Sequence, residues 1–437
     1  MNKKKLPLLQ MLEDIKGDKI ILTILMLLII MSMLSISSST SMLAMEQDMT
    51  RLEIIQEQVF TIVVGLGLTA VVYFAFKYNV IKALSKWGFT ISFVMLLILV
   101  AHVRIPGVIE VGQMNEAERI IKVFGQNIHV VEVIKLGMIM YTAWAISSFH
   151  DRSLKWGKIL HEQIAIARPR LGKRLTAKML DKWIYVYIPI GIVAVITAGM
   201  SLFTSIFLVA LCGVMIIIGK VLEPKYLLHF AVAAAVVGSV VMVVNKVTDG
   251  EMFSHLQSSL NRFDIRYEKA LREADGTENY QRVLDRVRQP ISAKYAIKEG
   301  GFWGKGPGNS TQKYVVPIIY EDYMFAFIVE EYGIFGVLMI LILYSSLLAR
   351  GNIIVRNIRE EFGKMAVVGI VFLISGQAMF HILMNIGIFP ISGQTLPMIS
   401  HGKFSFWIFS IAFGVLLNLS KLGKENIERE TKQSQPI

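Results

Sequence analysis

The densest concentration of unusual residues in the chain is Gly300-Gly301-Phe302-Trp303-Gly304-Lys305-Gly306-Pro307-Gly308-Asn309-Ser310, with five glycines in nine positions. Glycine clusters let backbone N–H groups come close to an anion. Gly304, Gly306 and Ser310, together with the cation of Lys305, are therefore candidates for holding a phosphate. The segment is not a nucleotide-binding P-loop, because Lys305 is followed by Gly306 rather than Ser or Thr and position 299 is glutamate. A flexible turn ahead of a helix is the structural alternative.

Carboxylates follow at once. Asp322 stands at the head of an apolar run that also holds Glu330 and Glu331. Ionisable groups at membrane depth are costly and mark candidate functional sites. At 1.5 Å per residue Glu330 would lie about 12 Å below Asp322 along a helix, which puts Asp322 at the membrane surface beside the glycine loop. A lone interfacial carboxylate is otherwise a helix cap or ion-pair partner. Glu132 and Lys135, three apart in another apolar run, fall on one helix face and are expected to pair, either as a clamp or as part of a binding site. The uncharged turn from Phe389 to Gly402 carries Pro390, Gly393, Pro397 and Ser400 and reads as a re-entrant segment walling a cavity. His401, at its end, has no metal-ligand spacing to another His, Cys or carboxylate.

These groups need a scaffold, and composition names it. With 54% hydrophobic and 18% charged residues over 437 positions, the chain has too little polar surface to solvate a soluble globule. Ten stretches are apolar and long enough to cross a bilayer: 20–41, 59–77, 86–103, 129–148, 183–199, 201–219, 226–245, 323–348, 365–387 and 399–419. The expected fold class is all-α, a polytopic membrane bundle of about ten helices with a long outer loop between the seventh and eighth. Cys212 lies inside an apolar run and reads as core packing.

The net charge of +12 raises the question of nucleic acid, but its distribution answers it. Segment 149–182 holds nine basic residues against three acidic, whereas the stretch after the first span has Glu46, Asp48, Glu53 and Glu57 against Arg51. By the positive-inside rule 149–182 and both termini are cytoplasmic, and no nucleic-acid partner is implied. The basic segment also suits anionic membrane lipids. One domain is expected over 1–422, its outer loop 246–322 bearing the candidate site; residues 423–437, rich in Lys, Glu and Gln, read as a disordered cytoplasmic tail.

In this order and on these spans, the motifs resemble the SEDS family of FtsW, RodA and SpoVE. The match is densest from Gly300 to Gly336, where the glycine motif precedes a proline and then Asp-aromatic-x-Phe-Ala-x-x-x-Glu-Glu-x-Gly. It continues through Gln377, Pro390, Gly393, Leu396, Pro397, Ile399, Ser400 and Gly402, and through Arg119, Glu132 and Lys135. The glycine and Gly-Gln-x-Leu-Pro motifs sit nearer the FtsW branch. Departures are Ile120 for Trp, His129-Val130 for Gln-Pro, His381 for Asn, Lys403-Phe404 for Gly-Ser, and a missing Pro-Asp pair near 200–204.

The resemblance implies a cytoplasmic-membrane glycosyltransferase that joins lipid II into glycan strands on the outer face. Its implied partners are a class B penicillin-binding protein and other divisome or elongasome membrane proteins. It puts Asp322 on the catalytic aspartate. The chemistry asks for one base near the attacking hydroxyl and for cationic or N–H donors near the pyrophosphate. Lys305, Arg262 and the glycine-loop amides are candidates for the latter, with Arg119, Glu132, Lys135, Glu330 and Ser400 around them. A Mg²⁺ or Mn²⁺ ion could share the pyrophosphate, although the sequence offers no carboxylate cage for one. A flippase of the same lipid, which the intramembrane charges would also suit, and a non-catalytic division scaffold remain open; a transporter's inverted repeats are not evident.

Overall fold

The computed structural model describes residues 17–40, 43–44, 48–101, 109–114, 117–123, 126–168, 175–221, 280–316, 319–389 and 393–433. Among these the chain is almost wholly helical. Helices α1 (Lys19–Ser39), α2 (Arg51–Ala75), α5 (Val130–His150), α11 (Met324–Asn357), α12 (Glu361–Asn385) and α13 (Lys403–Gln433) are each long and apolar enough to cross a membrane, as is the run Ala177–Met200. That run comprises α7 (Ala177–Lys182), a π-turn at Trp183–Tyr187 and α8 (Ile188–Met200). Helices α3 (Tyr78–Ser85) and α4 (Gly88–Val100) are together apolar and long enough to cross a membrane and meet at a bend of 42°. The shorter α9 (Leu202–Ile218) is equally apolar. Nine of the ten expected spans thus coincide with helices, and the protein is a multi-pass membrane protein; the expected span 226–245 lies outside the described residues.

Local chemistry accounts for the boundaries. Helix α2 starts eight residues before its expected span because Thr50 and Glu53 form a reciprocal capping box. The near-fusion around 199–201 is resolved by Ser201, whose extended backbone ends α8 while its side chain caps α9 by accepting from the Thr204 N–H. Helices α4 and α5 cross closely at Gly88, where a Cβ would lie 2.1 Å from the carbonyl oxygen of Gly137. In the segment expected as a tail, α13 continues to Gln433, and Lys424 donates to the Gly17 carbonyl at 2.8 Å and Asn426 to Glu360 at 3.3 Å.

Between α4 and α5 lies a three-stranded antiparallel sheet, β1 (Ile109–Met114), β2 (Ala117–Val123) and β3 (Gln126–His129), with a bulge at Gly112/Gln113. Strand β3 runs straight into α5. Ile120 and His129, two positions that depart from the family pattern, are direct cross-strand partners. Val130 is the first helical residue of α5, a position where proline is also well tolerated, so the family's Gln-Pro and this chain's His-Val suit the same backbone. Helix α10 (Tyr280–Gly300) delivers the glycine segment, and a 3₁₀ turn (Gln312–Tyr314) leads towards α11. The core gathers on α5, α12 and α13, with α11 along α12 and α2 along α13.

Candidate active site

A cavity opens among the adjoining ends of α5, α9, α11 and α13. It is lined by His129, Val131, Glu132, Thr204, Glu321, Asp322, Gly393, Gln394, Thr395, His401, Gly402 and Ser405. Three carboxylates and two histidines therefore face one space. Asp322 precedes α11 by two residues and is buried to 9% exposure, and Glu132 is in the first turn of α5. The two carboxylates come from segments 190 residues apart, brought together by the packing of α5 and α11 against α12.

Behind the cavity wall stands Lys135, fully buried. Its ammonium donates to Glu132 Oε1 at 2.8 Å, Gln377 Oε1 at 2.5 Å and Gln394 Oε1 at 2.9 Å. A lysine has three N–H donors, so all are spent inside the protein. The expected pair is real, and it is a clamp joining α5, α12 and the re-entrant turn rather than a cation offered to the cavity. Gln394 extends it by donating to Thr204 Oγ1 at 3.1 Å, and Gln377 by donating to the Thr395 carbonyl at 3.0 Å. Ser400, also expected in the site, fixes the turn: its hydroxyl donates to the Glu321 carbonyl at 2.8 Å and accepts from the Leu396 N–H at 2.9 Å.

The glycine segment does cradle an anion, but the anion is the protein's own. Gly301, Gly304, Gly306 and Gly308 all have positive φ. The loop packs where Gly333 (φ 57°, ψ −143°) breaks the helical geometry of α11, and a Cβ at Gly304 would come 2.3 Å from the Glu331 carbonyl oxygen. The carbonyls freed there accept from the loop: Lys305 N–H to Glu330 O and Gly306 N–H to Glu331 O, both at 2.9 Å. The Glu330 carboxylate, fully buried, takes Lys305 Nζ at 2.7 Å, Ser310 Oγ at 2.5 Å and the Thr311 N–H at 2.9 Å. Lys305 also binds Glu299 and Thr311. Partial desolvation opposes it, but the hydrogen bonds to Glu299 and Glu330 hold the Lys305 ammonium above the ordinary lysine range. Conversely the Lys305 hydrogen bond lowers the pKa of Glu299.

The structure thus divides the expected residues. Asp322 and Glu132 line one cavity, with Lys135 and Ser400 supporting it. Gly304, Lys305, Gly306, Ser310 and Glu330 form a second, internally satisfied cluster, none of which lines that cavity. Asp322 stands just before α11, which begins at Met324, and the glycine loop packs further along that helix, on Glu330 and Glu331. Arg119 is on β2, next to Ile120, the strand partner of cavity-lining His129. Arg262 lies outside the described residues. Among the described residues no three His, Cys, Asp or Glu side chains come together as metal ligands. Sequence reasoning gave no role to Gln394, Thr204, Glu321 and Asn385; polar residues at the ends of apolar spans were the available signal.

The FtsW, RodA and SpoVE family model, described as cell cycle protein, matches residues 18–425, nearly the whole of this arrangement. The chain belongs to that family. A curated relative from Trichlorobacter lovleyi, a probable peptidoglycan glycosyltransferase FtsW, is 27% identical over 77% of this chain and 76% of its own length. The Bacillus subtilis FtsW protein is 36% identical over 146 residues, a match that spans 33% of this chain and only 36% of that protein. Among solved structures, a chain of a peptidoglycan synthase complex that coordinates polymerization and crosslinking superposes with a TM-score of 0.59, covering 92% of this chain and 97% of that one at 16% identity. That likeness establishes a shared fold.

Proposed function

We infer that the protein is an inverting peptidoglycan glycosyltransferase that polymerises lipid II on the outer face of the cytoplasmic membrane. The observation that carries this reading is the cavity itself: Asp322 faces a polar space built by the same segments that define the family. In the reaction an acceptor sugar hydroxyl attacks the anomeric carbon of the lipid-linked donor. A new glycosidic C–O bond forms as the bond from the anomeric carbon to the pyrophosphate oxygen breaks. The hydroxyl proton passes to Asp322, a role that requires a carboxylate within hydrogen-bond reach of the attacking oxygen.

The charges lining the cavity suit the acceptor better than the donor phosphates. Glu132, Glu321 and Asp322 line it, and among the described residues no lysine or arginine does. Lys135 and Lys305 spend their donors within the protein. We assign the pyrophosphate to Arg119 and Arg262, the former next in sequence to the cross-strand partner of a cavity residue. A Mg²⁺ or Mn²⁺ ion would bring its own charge to the pyrophosphate, and no step here depends on one. The protein's partner is a class B penicillin-binding protein, which crosslinks the strands made here.

Purified protein supplied with lipid II, with and without such a partner, is expected to yield a ladder of glycan strands on a gel. Transfer of lipid II across vesicles with no polymer formed would instead favour a flippase. The orientation is tested separately. With 149–182 and both termini cytoplasmic, an Ala165→Cys variant on a Cys212→Ala background is expected to resist an impermeant thiol reagent in intact cells. Rapid labelling there would invert the topology and remove the case for outer-face catalysis.

A further inference from the structure

A helix leaves its first N–H groups without intrahelical partners, and α11 has an unsuitable residue to serve them. Its N-cap is Tyr323, whose side chain makes no capping bond. The donors are satisfied from another helix. The Phe325 N–H donates to His381 Nε2 at 3.3 Å and the Ala326 N–H to Asn385 Oδ1 at 3.1 Å. Asn385 Nδ2 also donates to the Asp322 carbonyl at 3.1 Å and to the His381 carbonyl at 2.9 Å. His381 and Asn385 are both buried and lie one turn apart on α12, so they present one face to the start of α11.

The histidine's other nitrogen is engaged as well. Because Nε2 accepts, the neutral ring carries its proton on Nδ1, which donates to the Gln394 carbonyl at 2.7 Å. Gln394 in turn accepts from Lys135, the partner of Glu132. Hydrogen bonds thus run from the turn that carries Asp322, through His381, Gln394 and Lys135, to Glu132, a second of the cavity's carboxylates.

We propose that His381 and Asn385 cap α11 in trans and are positioning residues that hold Asp322 in place for proton abstraction. The proposal rests on the reading of Asp322 as the base. An asparagine at 381, the residue the family pattern places there, would keep a donor for Gln394 but would be too short to accept from Phe325. The histidine therefore adds a contact to the catalytic turn in this chain.

The test compares full-length His381→Leu, His381→Gln, His381→Asn, Asn385→Leu and Asp322→Asn in lipid II polymerisation, with hydrogen exchange read over 320–327. Glutamine retains an acceptor near the Nε2 position, and asparagine a donor near the Nδ1 position. The leucine variants are expected to lose about 10- to 100-fold in kcat, the scale of an ångström's misplacement. Their KM should change little, and exchange at 320–327 should accelerate. His381→Gln should recover most of the rate and His381→Asn should not. Wild-type kcat in both leucine variants, or equal losses in the glutamine and asparagine variants, would overturn the proposal while an inactive Asp322→Asn left the base assignment standing. If the leucine variants do not fold, the glutamine–asparagine comparison decides alone. Polymerisation by Asp322→Asn at the wild-type rate would remove the base assignment, and this proposal with it.

Discussion

Asp322→Asn is expected to cut glycan polymerisation by about 10²–10⁴-fold, the usual loss on removing a positioned general base, while folding, membrane insertion and lipid II binding persist. Asparagine keeps the size of the side chain and most of its hydrogen bonding but cannot take the hydroxyl proton. The surrounding structure argues that the backbone will not shift to compensate: the Asp322 carbonyl is held by Asn385, and the next helical turn by His381 and Asn385. Binding is expected to survive because the proposed assignment gives the pyrophosphate to Arg119 and Arg262 rather than to this carboxylate. Asp322→Glu is the sharper control, since it retains the base but moves it by one methylene, and a shift of about 1 Å can cost roughly 10²-fold. Radiolabelled lipid II, with strand length read on gels and binding measured in parallel, separates the outcomes. Long strands at near the wild-type rate from purified Asp322→Asn would make the aspartate a structural residue of the helix start.

The residues that could be found from sequence are those whose placement follows from local rules. Apolar length set the spans, and spacing by three placed Glu132 against Lys135 because residues three apart share a helix face. The Thr50–Glu53 capping box was also legible, and heeding it would have placed the start of α2 correctly. What was not legible depends on contacts between segments distant in sequence. Nothing in the glycine motif says that its amides will go to the Glu330 and Glu331 carbonyls, or that the Glu330 carboxylate, about twenty residues further on, will be held by Lys305, Ser310 and the Thr311 and Gln312 amides, because a glycine-rich turn offers its amides equally to a phosphate or to the protein's own oxygens. Nor does Tyr323 announce that its helix will be capped by α12. The short sheet is not legible because its strands carry no long alternating pattern, and it matters to the site because β3 ends on cavity-lining His129 and leads into the helix that bears Glu132.

Removing Lys135 should damage the fold more than removing its acidic partner, and the asymmetry follows from the bond pattern. Lys135→Met strands the Glu132 carboxylate and withdraws the donor from the side-chain oxygens of Gln377 and Gln394 in one step. Breaking a buried pair in this way costs about 3–5 kcal/mol, because a buried charge is left uncompensated. Glu132→Gln leaves the ammonium with two oxygen acceptors and a neutral amide beside it, so the expected loss is smaller, about 1–3 kcal/mol. The double variant removes both charges together and should therefore lose less than the sum of the singles, with a coupling on the order of 1 kcal/mol or more. Equilibrium unfolding in mixed micelles measures all four proteins on one scale. Strictly additive losses would mean that the two side chains do not meet. A larger loss for Glu132→Gln than for Lys135→Met would mean that the carboxylate, rather than the ammonium, is the hub of the clamp. Because Gln394 is shared between this clamp and His381, Lys135→Met is also expected to lower kcat in whatever fraction remains folded. An intact kcat there would separate the stability of the bundle from the alignment of Asp322.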